Sequence, residues 1–458
     1  NIKNYIIKLL KRFHPHILGL TCMSFQYETA VQIAKIVKQF KKEIVIVFGG
    51  YHPTLAYGLI SESKEKKYID YLVRCEGEVA FNRLIKALSN NDDVTKISNL
   101  SFKEKGNFVH NPRQTILDLE NIKLPDRSSR ITKHYSIFGK KADVVETSRG
   151  CTMGCDFCCM PQMYGRTFRK YPIERVIEDI KLASQNGVKA LFFIDDNIFV
   201  DPAHLEELCE QIIKNGLNHI DYTIQASVAG IARDPKLIEL MARAGFKIVF
   251  LGIENIKKAN VQFLSKDKRV LDQTSVAIEL LHKHKLIVVG GFILGNPEDD
   301  AQILWEHFDF AKKNQLDIPL FMLLTPFLKT GIREKIIREG LLANPDDFSY
   351  YDLSHANIRT KHLSPFELNF LKNKMYGAYN TFPMLKNNLL HKHYPWLFFK
   401  LLLDELPRTA MNVIRKFAYE NYEFQNYKAG RIREMKRMGR WLLDKKDFIK
   451  NELTGHIN

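Results

Sequence analysis

From Asp143 to Thr325 the chain repeats one unit six times, a short apolar run followed by a longer amphipathic stretch. The runs at 143–148, 190–195, 220–226, 247–253, 286–293 and 318–325 read as strands. The stretches between them begin near Pro172, Pro202, Pro235, Val270 and Glu298 and read as helices. Proline suits a helix start, because its fixed φ is already helical and its missing N–H would have had no partner there. Strands joined by helices lie parallel, since a crossover of about a dozen residues returns the chain to the same end of a sheet. Six successive units favour a partial or full (β/α) barrel over a doubly wound sheet, although strand length alone does not separate the two.

Residues 1–97 show the same alternation on a smaller scale. Apolar runs at 17–21, 44–48 and 69–73 read as strands, and the spacing of Val31, Ala34 and Val37 predicts a helix over 30–40, with another over 80–88. This front segment is expected to form a Rossmann-like parallel sheet. Ligands bind such sheets beyond the carboxyl ends of the strands, where Ser24, Gly49–Gly50 and Glu76–Gly77 fall. Residues 98–142 look like a linker with a polar hairpin about Lys105-Gly106-Asn107, 143–340 form the barrel, and 341–458 read as helical. The fold class is therefore α/β with a helical C-terminal region. With 458 residues, 45% hydrophobic and 26% charged, the chain is globular rather than disordered. Asn1–Tyr5 carry neither an initiator Met nor a secretory pattern, as expected of a chain whose beginning is lost. No uncharged apolar run reaches membrane-spanning length; the stretch from Trp396 to Leu403 is short and broken by Lys400.

The seven cysteines are too few for a disulfide scaffold, and four of them (Cys151, Cys155, Cys158, Cys159) stand close together just after the first barrel strand. Clustered thiols in a chain of this kind indicate a metal or redox site in a reducing, cytoplasmic setting. Zinc sites draw close ligand pairs from two arms, and no second Cys/His pair is suitably spaced here. The Cys-x3-Cys-x2-Cys spacing suits a [4Fe–4S] cluster with one iron left without a protein ligand, open to a small molecule. Gly150 and Gly154 let the backbone wrap closely, and Cys159, whose side chain diverges from that of Cys158, reads as a buried thiol.

With Phe157 before its last cysteine, this loop resembles the signature of the radical S-adenosylmethionine (SAM) enzymes, whose partial barrel carries it after the first strand. The resemblance implies that Cys151, Cys155 and Cys158 hold the cluster and that the open iron binds the amino and carboxylate groups of SAM. Gly291, Ile293, Gly295 and Glu298 fit the family's Gly-x-Ile-x-Gly-x-x-Glu stretch near the adenine. Glu254 matches a polar position facing the ribose or methionine part, and Gln225 and Ser227 look like interior positions. Asp195-Asp196-Asn197 stands where many members carry Gly-Gly-Glu, so Asp196 is the candidate for that contact.

The front segment resembles the cobalamin-binding domain that often precedes such a barrel. The matching pieces are 16–21, 48–54 and 75–78, and they imply cobalamin contacts at Ser24, Gly49, Gly50, His52, Thr54, Glu76 and Gly77. The Asp-x-His-x-x-Gly motif that supplies an axial histidine in many methyltransferases is missing, and His52, beside Pro53, reads more readily as a structural or hydrogen-bonding residue. The resemblance implies reductive cleavage of SAM to a 5′-deoxyadenosyl radical, hydrogen abstraction from an unactivated carbon, and methyl transfer from methylcobalamin to a lipid or other secondary metabolite. A cobalamin-dependent radical cyclase or oxidative rearrangement shares these cofactors. A methylthiotransferase would need a second cysteine triad, and only Cys22 and Cys75 lie in front. A non-catalytic cobalamin or iron–sulfur sensor, or an electron carrier, is the alternative from another class.

A flavodoxin- or ferredoxin-type donor is the expected electron source. The net charge of +16 is concentrated toward the tail, where Arg431, Arg433, Lys436, Arg437 and Arg440 follow Trp396–Phe399. That tail reads equally as a membrane-surface helix or as a packed helix with a solvated basic face. Without a recognition motif, the charge does not point to nucleic acid. Tyr350–His355 resembles a stretch found after the barrel in lipid- and polyketide-modifying relatives, and His355 reads as a surface or capping residue.

Overall fold

The computed structural model describes residues 2–116, 118–132 and 135–379. In the front sheet, β1 (Ile17–Thr21), β2 (Val45–Gly49) and β3 (Tyr71–Val73) run parallel in chain order. The helix Tyr27–Phe40 buries Ala30, Val31, Ala34 and Val37 against this sheet. With Tyr27, also buried, Ala30, Val31 and Ala34 are the i, i+3, i+4, i+7 positions of one helical face, and Val37 continues it. The helix Gly77–Asn90 covers it with Ala80, Leu84 and Ala87. The hairpin of β4 (Leu100–Glu104) and β5 (Asn107–His110) extends the same sheet, with β4 antiparallel to β3. The front sheet thus extends past residue 97, to His110 at the end of β5.

The second sheet settles the choice of topology. It holds β6 (Ser136–Ile137), β7 (Lys140–Val145), β10 (Ala190–Phe193), β11 (Asp221–Ser227), β12 (Phe246–Glu254), β13 (Ile287–Leu294) and β14 (Ile318–Leu323). Between β7 and β10 lie two short strands, β8 (Ser148–Arg149) and β9 (Arg169–Lys170), which pair only with each other. From β7 to β14 the six long strands are parallel and neighbours in chain order, with no reversal. A doubly wound sheet needs a reversal of order; a partial barrel does not. The sheet is a curled half-barrel.

Residues alternate along β11: Tyr222, Ile224 and Ala226 are buried under helices, while Thr223, Gln225 and Ser227 face the opposite side. Stacked rings of Phe193, Tyr222 and Phe246, 5.2–5.8 Å apart, tie three neighbouring strands together. The last described helix, Pro365–Tyr379, packs on β14, and the Tyr379 hydroxyl donates to the carbonyls of Ala311 and Leu316. His355 is half-exposed and paired with Asp352 at 2.8 Å, a surface role. Among the described residues no helix is long and apolar enough to cross a membrane. The Trp396–Phe399 stretch and the arginines from Arg431 to Arg440 lie outside the described residues.

Candidate functional site at the cysteine loop

The β8–β9 pair closes the base of a loop running from Gly150 to Phe168. Gly150 starts it at φ +85°, and a Cβ there would sit 2.1 Å from the Thr167 carbonyl oxygen, so only glycine serves. The Gly150 N–H donates to the Asp196 carboxylate at 2.9 Å, fixing the loop to the end of β10. Farther along, Asp156 anchors the loop twice. Its carboxylate takes the Ser265 hydroxyl at 2.6 Å and the Lys335 ammonium at 2.7 Å, and its backbone joins those of Leu264 and Ile332. Phe157 packs with Ile293, Leu324 and Ile332 in one apolar cluster.

Cys151, Cys155 and Cys158 open into one cavity of about 160 Å3, and Cys159 is not among its lining residues. Burial pushes the Cys158 thiol up to about 12 and raises those of Cys151 and Cys155, so without metal all three are neutral. Among the described residues, no three His, Cys, Asp or Glu side chains converge on a point that one ion could occupy. A cubane takes each thiolate on a different iron, so three thiols that open into one cavity fit it.

Phe157, Asp196, Gln225 and Glu254 line the same cavity. Burial pushes Asp196 up to about 6. Gly291, Ile293 and Gly295 lie in the strand end behind it, Gly291 against the Phe250 ring that does line it. Glu298 goes elsewhere: its side chain is 55% exposed and pairs with Lys361. The buried carboxylate of that turn is Asp299, which accepts the N–H groups of Gly295 and Asn296 at 2.9 Å.

Asp195, next to Asp196, is wholly buried and accepts the N–H groups of Thr147 and Ser148 at 2.7 and 2.9 Å. Burial nevertheless pushes its pKa up to about 7. The folded protein keeps a proton that the unfolded chain releases near pH ~4. The stability this group contributes is therefore fully present below that pH and is lost as pH rises to about 7. Asp195→Asn, neutral throughout, is expected to remove that slope from urea unfolding midpoints measured between pH 5 and 8. Identical slopes in wild type and variant would contradict the assignment.

The front-sheet candidates stand beyond the carboxyl ends of β1, β2 and β3. Gly50 sits at φ +91°, where a Cβ would approach the Thr21 hydroxyl to 2.5 Å. Ser24 is buried on the adjoining turn. His52 packs between the rings of Tyr27 (4.4 Å) and Phe348 (5.1 Å); its Nδ1 has no hydrogen-bond partner, and burial pushes its pKa down to about 4. The Thr54 hydroxyl donates to the Gly50 carbonyl and accepts the Cys75 N–H, both at 2.8 Å. Glu76 is buried in ion pairs with Arg149 (3.2 Å) and Arg169 (2.9 Å), one from each strand at the base of the cysteine loop, while Gly77 begins the following helix. These arginines, and Lys266 within the cavity, escaped the sequence reading.

A model of the radical SAM superfamily matches residues 145–311, and a model of the B12 binding domain matches residues 2–85. The chain joins a B12-binding domain to a radical SAM domain. The cofactors of these two domains are a [4Fe–4S] cluster, SAM and cobalamin. An uncharacterized methyltransferase of Pyrococcus horikoshii is 29% identical to the chain over 395 residues, covering 86% of the chain and 84% of the relative. An anaerobic magnesium-protoporphyrin IX monomethyl ester cyclase of Rubrivivax gelatinosus is 26% identical over 428 residues, covering 91% and 73%. The fold is similar to that of OxsB, a cobalamin-dependent SAM radical enzyme solved with aqua-cobalamin and SAM bound. The TM-score is 0.66 at 17% identity, covering 94% of this chain and 68% of that one.

The B12-binding domain rests directly on the radical SAM loop. The Tyr51 hydroxyl lies 2.7 Å from the Met160 sulfur, and Lys329 donates to the Thr54 carbonyl at 3.4 Å.

Proposed function

We propose that this protein is a cobalamin-dependent radical SAM methyltransferase that methylates an unactivated carbon of a lipid or other small molecule. The observation that carries this reading is the seating of the Gly50–Thr54 turn on the helix Met160–Tyr164, which closes the cysteine loop. That contact brings the ligand end of one domain to the reactive loop of the other. Cys151, Cys155 and Cys158 would hold the cluster; Asp196, Gln225 and Glu254 would meet the polar groups of SAM; and Ser24, Gly49 and Gly50 would border cobalamin. When bound, the cluster supplies the electron that cleaves SAM, and cobalamin carries the methyl group. The chain's own residues bind, orient and shield: the apolar packing of Phe157 and Met163 keeps water from the loop.

Methylation is favoured over cyclisation because the relative with the higher identity is named a methyltransferase. All seven cysteines are free thiols, which supports a reducing, cytoplasmic setting. We also propose a flavodoxin- or ferredoxin-type electron donor, and peripheral membrane contact through the basic tail.

After anaerobic reconstitution and reduction with dithionite, the protein with substrate is expected to release 5′-deoxyadenosine and S-adenosylhomocysteine together. One SAM is cleaved reductively and a second is demethylated for each methyl group transferred. 5′-Deoxyadenosine without S-adenosylhomocysteine would indicate cyclisation. Neither product from a fully loaded cluster would sink the catalytic reading.

A further inference from the structure

Lys266 enters the cysteine-lined cavity from the turn after the helix Lys258–Phe263. Its Nζ lies 3.0 Å from Glu254 Oε1, and both side chains are only 11% exposed. Three features of the backbone serve this one ion pair. Glu254 stands at φ +64°, a region non-glycine residues rarely enter, where the β12–β13 register also slips. Gly252 leaves room beneath the pair: a Cβ there would meet Glu254 Oε1 at 2.8 Å and Lys266 Nζ at 3.3 Å. The Lys266 N–H is held by the Val261 carbonyl at 3.0 Å. Strain of this kind persists where the surroundings over-determine it, and it concentrates at functional sites.

Burial opposes the Lys266 charge, yet the Glu254 carboxylate beside it holds its pKa above the ordinary value. The other charged group on the cavity wall is Asp196, which is engaged with the Gly150 N–H. A cluster on three thiolates is a net anion whose negative charge grows by one on reduction. A fixed cation in a poorly solvated cavity therefore stabilises the reduced form more than the oxidised one.

We infer that Lys266 is a charge-balancing residue for the cluster held by Cys151, Cys155 and Cys158, raising its reduction potential, and that Glu254 positions it. The inference rests on the cluster assignment above. It gives Glu254 a role separate from direct contact with SAM, and it involves a single electron passing from an external one-electron reductant to the cluster.

The test is an anaerobic potentiometric titration of the full chain, reconstituted with iron and sulfide, read by electron paramagnetic resonance after iron content has been measured. K266M is expected to shift the midpoint negative, lowering the reduced-to-oxidised ratio at a fixed potential about tenfold, or about 59 mV for one electron. K266R should stay near wild type. E254Q, which removes the counter-charge and leaves the lysine, should shift the midpoint positive. Opposite signs for K266M and E254Q are not produced by a merely structural role. Full iron content with both midpoints unmoved, or both moved the same way, would overturn the inference. So would weakened SAM binding in K266M at an unchanged midpoint, which would assign the lysine to SAM. If K266M takes up no iron, E254Q and K266R decide. If wild type takes up none, the cluster assignment itself fails and this inference falls with it.

Discussion

Cys158→Ser, reconstituted anaerobically with iron and sulfide, is expected to fold normally, to lack the visible absorption and paramagnetic signal of a reduced [4Fe–4S] cluster, and to cleave no SAM. A serine hydroxyl does not ionise near neutral pH and is a hard ligand where iron and sulfide need a soft one. The loss should far exceed the roughly 10–100-fold cost of removing an outer-shell partner, because an electron must reach SAM through the cluster itself. Folding is spared because the loop is held by other groups: Asp156 at its middle, Gly150 with Asp196 at its start, and the β8–β9 pair at its base. Cys159→Ser is the control. Cys159 precedes the helix Met160–Tyr164 and does not line the cavity, so that variant should keep its cluster and lose activity by a few-fold at most. Circular dichroism, iron content and 5′-deoxyadenosine release, compared across the two variants, check the expectation. Retention of the cluster by Cys158→Ser together with its loss from Cys159→Ser would reassign the third ligand.

Much of this architecture is written in local periodicity. Strands at 190, 220, 247, 286 and 318 fall within a residue or two of their expected starts, because each is a short apolar run flanked by an amphipathic helix. The three cysteines that share the cavity stand at a Cys-x3-Cys-x2-Cys spacing, and the family resemblance singles them out as the ligand set. What was hidden depends on contacts between distant residues. The polar hairpin around Gly106 shows its turn in the sequence, but nothing local says that β4 pairs with β3. Glu298 has the expected spacing, yet the turn buries Asp299 and sends Glu298 outward to Lys361. Lys266, Arg149 and Arg169 read as ordinary solvated charges. Only the fold shows that they are buried against carboxylates from other segments.

Glu76→Ala should destabilise the protein by about 3–5 kcal/mol, the usual consequence of removing one partner from a buried ion pair. Glu76 is 1% exposed at its side chain and accepts from Arg169 Nη1 at 2.9 and 3.0 Å, from Arg149 Nη1 at 3.2 Å and from the Ile116 N–H at 3.1 Å. The two arginines do not suffer equally. Arg149 retains Glu78 at 2.6 Å and Glu146 at 2.8 Å. Arg169 loses the only carboxylate paired with it among the described residues and keeps only the Ile116 carbonyl on Nη1 and the Tyr164 ring, its Nε and Nη2 being already buried without hydrogen-bond partners. The cost therefore comes mainly from a stranded guanidinium rather than from a lost attraction. It follows that Arg169→Met in the Glu76→Ala background should recover part of the loss, and the double variant should be more stable than the sum of the single effects. Because Arg149 and Arg169 face each other across the base of the cysteine loop, the same substitution should speed amide hydrogen exchange at Ser148–Gly150 and Thr167–Lys170 ahead of the barrel strands. Denaturant midpoints and exchange rates measure both effects. Strictly additive variants, or unchanged exchange at the loop base, would mean that the B12-binding domain does not brace the cysteine loop through this carboxylate.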